Sequence, residues 1–142
     1  MKWLILCSAL ALSVSACMTK PPRPDQLKPA PADRMTRFQA TTDGDATLVV
    51  TRDVGMTGGG CYAAVFIDGR EVGKLGTGEV ATFHVPAGEH IVGTWNTGAA
   101  LCGYREGEDR KETSTVLRSG EIKKFRITIV PGAGVTIGAT TM

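Results

Sequence analysis

Downstream of residue 17 the apolar residues recur with a period of two in short runs, and each run is closed by a Gly- or Pro-containing turn. No stretch there carries them at helical spacing, so the chain is confined to antiparallel β architecture. Successive runs are Ala46–Arg52, Cys61–Asp68, Arg70–Leu75, Glu79–Val85, a run through Ile91 and Trp95, Lys111–Arg118, Ile122–Val130 and a short one from Val135. About eight strands at this spacing make a sandwich or small barrel. Asp68-Gly69 is the strongest hairpin signal. Cys61–Asp68 is apolar on both faces, as a central strand covered on both sides would be. Ile91 and Trp95 are expected to face the core, with His90, Val92 and Thr94 on the opposite side.

The amino terminus reads differently. Lys2 precedes an apolar run from Trp3 to Val14, about 12 residues where a spanning helix needs roughly 20. That is the pattern of a cleaved secretory signal. Val14-Ser15-Ala16-Cys17 then resembles the bacterial lipobox, in which small residues let a peptidase close on the bond before a lipid-modified cysteine. The resemblance implies cleavage after residue 16 and acyl chains on Cys17 that hold the protein to a membrane. Met18 in place of Asp resembles the sorting pattern for the outer membrane.

The expected organisation is therefore a signal over 1–16, a lipidated Cys17 with a tether over 17–45, and a β-domain over 46–142. The tether reading rests on Pro21, Pro22, Pro24, Pro29 and Pro31, a composition that favours extended structure of about 3 Å per residue. Packing of Arg37-Phe38-Gln39-Ala40 as an extra strand is the alternative. With 16 basic against 14 acidic residues, no electrostatic case for nucleic acid arises.

If Cys7 leaves with the signal and Cys17 carries lipid, Cys61 and Cys102 remain as a pair in an exported domain, where a disulfide is the default. Two buried thiols or a zinc site are the alternatives; a metal site would want closer Cys and His spacing. No cofactor is expected.

Gly60-Cys61, Ile67-Asp68-Gly69-Arg70, Gly78-Glu79, Phe83-x-Val85-Pro86-x-Gly88 and Leu101-Cys102-Gly103 together resemble a family of small bacterial and prophage-associated β-rich lipoproteins. The likeness covers roughly Leu48 to the C-terminus and departs from the pattern at Ala99-Ala100. It implies a compact domain displayed in the envelope and brings no established activity with it. Pro86-Ala87-Gly88-Glu89-His90 is similar, less specifically, to a turn in surface-exposed β-sandwich modules that associate with carbohydrate or protein.

Candidate chemistry is sparse. His84 and His90 would share an outward face if Val85 paired with Ile91, inviting a two-histidine metal site or a general base for a hydrolase. No third partner accompanies them, and no catalytic motif is present. Gly58-Gly59-Gly60 lacks the Lys-Ser/Thr and helix that a phosphate loop needs and is expected to make room for a turn beside the disulfide. The longest loop, Thr97–Arg110, carries Tyr104, Arg105, Glu106, Glu108, Asp109 and Arg110. A disulfide at its base would make it a partner-recognition edge, with Tyr62 and Trp95 nearby. The function expected is binding or structural, directed at an envelope protein or surface ligand, without catalysis. The rival readings are an inhibitor or exclusion factor acting through the 97–110 loop, and a hydrolase.

Overall fold

The computed structural model describes residues 18–42, 45–98, 102, 110–130 and 133–142. Two sheets pack face to face as a sandwich. The strands are β1 (Lys28–Pro29), β2 (Ala46–Arg52), β3 (Tyr62–Ile67), β4 (Arg70–Leu75), β5 (Glu79–Val85), β6 (Gly88–Thr97), β7 (Lys111–Leu117), β8 (Ile122–Val130) and β9 (Gly134–Thr140). One sheet runs β1-β5-β2-β8-β9 and the other β4-β3-β6-β7. Antiparallel ladders predominate; β1 with β5 and β2 with β8 are the parallel ones. The expected all-β sandwich is therefore the fold, and the barrel is not.

Alternation builds the core. Ala46, Leu48 and Val50 of β2, Phe83 and Val85 of β5, and Phe125, Ile127 and Ile129 of β8 point at Ala63, Val65 and Ile67 of β3 across the gap. Val72 and Leu75 of β4 both face inward although they stand three positions apart, an odd spacing for one face of a strand. A bulge opposite Val65/Phe66 inserts one residue and restores the parity. The Asp68-Gly69 turn has positive φ at both positions, 50° and 75°, the backbone required to turn β3 tightly into β4.

The expectation for β6 is overturned. Val92 and Thr94 face the core, Ile91 is exposed, and Trp95 lies on the outer face. The reason is register: Val92 and Thr94 stand opposite Ile67 and Val65, whose side chains point inward. Thr94 is tolerated there because its hydroxyl donates to the Ala64 carbonyl at 2.8 Å. Pro86-Ala87 likewise does not close a hairpin within one sheet; it carries the chain from β5 in one sheet to β6 in the other.

The Pro-rich segment expected as a tether lies along the sandwich from Thr19 onward. Lys20 and Val54 exchange backbone hydrogen bonds at 2.9 Å, Lys28 and Ala30 donate to Gly78 and Val80, and Thr36 donates to Val72. Met35 and Phe38 pack against the core, and the Phe38 carbonyl accepts from His84 N–H at 2.8 Å. Burial of Ala30, Met35 and Phe38 against the core helps repay ordering the segment. We call residues 19–38 the strap.

Candidate functional site

The most distinctive surface is the outer face of the four-stranded sheet. Strand parity directs Tyr62, Ala64 and Phe66 of β3, Ile91 and Trp95 of β6, and Val116 of β7 to this side. Phe66 is buried against Trp95 edge-to-face, ring centroids 4.4 Å apart. The Arg110 guanidinium lies 4.6 Å from the Phe66 centroid and 5.0 Å from that of Trp95, close enough for cation–π attraction. Its Nε pairs with Glu112 at 3.3 Å, and the group also donates to the Gly69 carbonyl.

A second arginine covers the other end of the aromatic row. Arg34, from the strap, stands 4.5 Å over the Tyr62 ring. It donates to Glu79 at 2.7 Å and to the Lys74 carbonyl at 3.1 Å. Burial pushes the Glu79 carboxyl up, but its bonds with Arg34 and with the Gly76 N–H outweigh that and leave it below the ordinary range. The Arg34–Glu79 hydrogen bond in turn raises the guanidinium's affinity for its proton, so Arg34 is fixed in place and charged. Around these anchors Tyr62, Ile91 and Val116 are 46%, 39% and 59% exposed.

Cys61 and Cys102 are bonded, with Cα atoms 5.8 Å apart, at the edge of this face. The disulfide read from the sequence is thus formed. Gly98 lies close beneath it: a Cβ there would sit 3.2 Å from the Cys102 sulfur. Of the loop residues singled out for recognition, Tyr104, Arg105, Glu106, Glu108 and Asp109 lie outside the described residues, as does Cys17. Arg110 is described, and it serves the aromatic face.

His84 and His90 do not share a face. They belong to different sheets, because β5 pairs with β2 and β6 with β3 and β7. Both ring nitrogens of His90 are taken, Nδ1 by Asp68 at 2.7 Å and Nε2 by the Pro86 carbonyl at 2.8 Å. Among the described residues no cluster of three or more His, Cys, Asp or Glu is placed to hold a metal ion.

The glycine run has a structural use. Arg52, 2% exposed, donates to the carbonyls of Cys61, Leu75 (2.7 Å) and Gly58 (2.8 Å), tying the loop to the start of β3 and the end of β4. Burial lowers the pKa of Arg52, since charge is costly there. A shallow cavity of about 190 Å³ on the other sheet, between Pro22, Leu27, Val49 and Val80, is smaller than the roughly 300–1,000 Å³ of ordinary ligand pockets.

Sequence reasoning placed Tyr62 and the disulfide near one another but missed Arg34, Phe66, Ile91 and Val116. The run Tyr62–Ile67, apolar on both faces, was the signal that something covers its outer side. No family model matches this chain, and no curated protein is similar to it.

Proposed function

We propose that the chain is a lipid-anchored protein of the bacterial envelope, sorted to the outer membrane. Its sandwich binds a protein partner through the outer face of the four-stranded sheet, without chemistry of its own. Membership of the β-rich lipoprotein family that its motifs resemble belongs to the same proposal. The observation that carries the binding reading is the grouping of exposed Tyr62, Ile91 and Val116 on one side, with Arg34 and Arg110 immobilised on the aromatic rings. Aromatic side chains and arginine are the residues that interface centres favour. Both guanidiniums are already oriented, so little conformational entropy is lost on binding.

The rival reading, an inhibitor or exclusion factor acting through the 97–110 loop, is favoured by the disulfide at that loop's base. One experiment separates the two. The intact lipoprotein is cross-linked in envelope extracts and its partners identified, alongside two variants. One is Tyr62→Ser with Val116→Ser; the other replaces Arg105, Glu106, Glu108 and Asp109 by Ser. Loss of the partner with the first variant and retention with the second is the expected result. The reverse pattern would establish the loop, and unchanged capture by both would refute both readings.

A further inference from the structure

Thr19, two residues beyond Cys17, is not a free linker residue. It is 7% exposed, and its hydroxyl accepts from Ile129 N–H at 2.8 Å and faces Asp53 Oδ2 at 3.2 Å. The Asp53 side chain is 1% exposed and paired with Arg126 at 2.9 Å. Lys20 follows at once in a two-way backbone bridge with Val54. Gly55 presses on this clamp, since a Cβ there would lie 2.9 Å from Thr19 Cγ2. The chain is fastened to the sandwich as soon as it leaves Cys17.

Two residues span at most about 7 Å. An acyl chain on Cys17 therefore leaves the fold no room to stand away from the bilayer. The end that meets the lipid is the one holding the clamp, where β2 leads into the glycine loop and β8 ends. Met56 projects from that loop, next to Gly55, and is 99% exposed; Met18, before the clamp, is 57% exposed, and Lys20 beside it is also open to solvent. Apolar tips flanked by a cation suit the headgroup boundary of an anionic bilayer.

We propose that this end of the sandwich is a membrane-docking surface, seated on the lipid by the Thr19 clamp with Met56 in the interface. The inference rests on lipidation of Cys17. The test uses the mature lipoprotein in vesicles of phosphatidylethanolamine and phosphatidylglycerol. A fluorophore is placed on Met56→Cys or, at the opposite end of the sandwich, on Ser119→Cys. Both sites are turn positions whose substitution leaves the core untouched. The Met56 label should lose most of its quenching by aqueous iodide on vesicle binding, while the Ser119 label keeps its own. Protein that sediments with the vesicles yet leaves the Met56 label as quenchable as the Ser119 label would overturn the docking surface alone. Protein that fails to sediment would overturn the lipid anchor, and the docking surface with it.

Discussion

His90 is the residue whose surroundings translate most directly into a measurable behaviour. Burial on its own would lower its pKa, but the Asp68 carboxylate and the Pro86 carbonyl more than offset that, and the net direction is up. For Asp68, burial acts upward and is outweighed by the His90 and Ile91 hydrogen bonds, so its net direction is down. Stability from a raised histidine is fully present below its unfolded value of about 6.5 and is lost as pH climbs through the higher folded value. Stability from a depressed carboxylate is present above about 3.9 and is lost as pH falls through the lower folded value. The pair thus contributes most between about pH 4 and 6.5, by about 1 kcal/mol or less because Asp68 is half exposed. His90→Gln should therefore narrow the difference in urea midpoint between about pH 5.5 and pH 8.5. An identical fall in variant and parent would assign the effect elsewhere. None of this could be read from the sequence, where His90 was one of two histidines near a turn; the link to Asp68 exists because β6 lies beside the β3–β4 hairpin.

Elements were legible where their pattern was self-contained. The extents of β2, β5 and β8 follow from alternation and turn chemistry, and those of β3, to within a residue at each end, and β4 from the turns that bound them. The faces of β6 did not, because Ile91 and Trp95 are its bulkier apolar residues while the inward register falls on Val92 and Thr94. The strap was misread for a related reason: proline content indicates an extended chain but is silent on whether that chain is solvated or laid on a surface. A glycine in the opposing turn makes its seat. Gly78 has φ of 72°, and a Cβ there would lie 3.0 Å from the Gln26 carbonyl oxygen and 3.1 Å from Val54. Gly120 has nearly the same φ, 73°, with nothing within 4 Å. Alanine at either position should cost about 1–2 kcal/mol through backbone strain. Gly78→Ala alone should also speed amide exchange at Lys28 and Ala30, whose N–H groups bond Gly78 and Val80. Equal exchange in the two variants would mean that this close approach does not hold the strap.

At the scale of the molecule, the topology gathers four connections at one end of the sandwich: those after Arg52, after Leu75, after Thr97 and after Val130. The Thr19 clamp and the disulfide share that end, joined through Arg52, whose guanidinium binds the Cys61 carbonyl beneath the bond. A partner held by the 97–110 loop or the adjacent aromatic row would accordingly meet the protein close to the proposed lipid surface. The sequence pointed to the cysteine pair once Cys7 and Cys17 were set aside and export was expected, but not to the bond's lying above a buried arginine, because Arg52 reads simply as the polar end of a strand. The bond closes a separation of 41 residues, for which the chain-entropy estimate is about 4 kcal/mol. Reduction of the folded domain should lower its unfolding free energy by about that amount, less whatever structure the reduced unfolded chain retains. The loosening should be uneven. Thr97, Gly98 and Arg110 flank the released loop, so their amides should gain faster exchange through local opening, beyond the acceleration that lost global stability gives Val65 and Phe125 in the paired core strands. Chain-entropy release in the unfolded state alone would instead accelerate the globally exchanging amides of the core and leave the locally exchanging flanks as they were. Flank exchange that is unchanged by reduction would therefore show that the bond does not order this face in the folded protein, and would remove the case for a preformed binding surface at its edge.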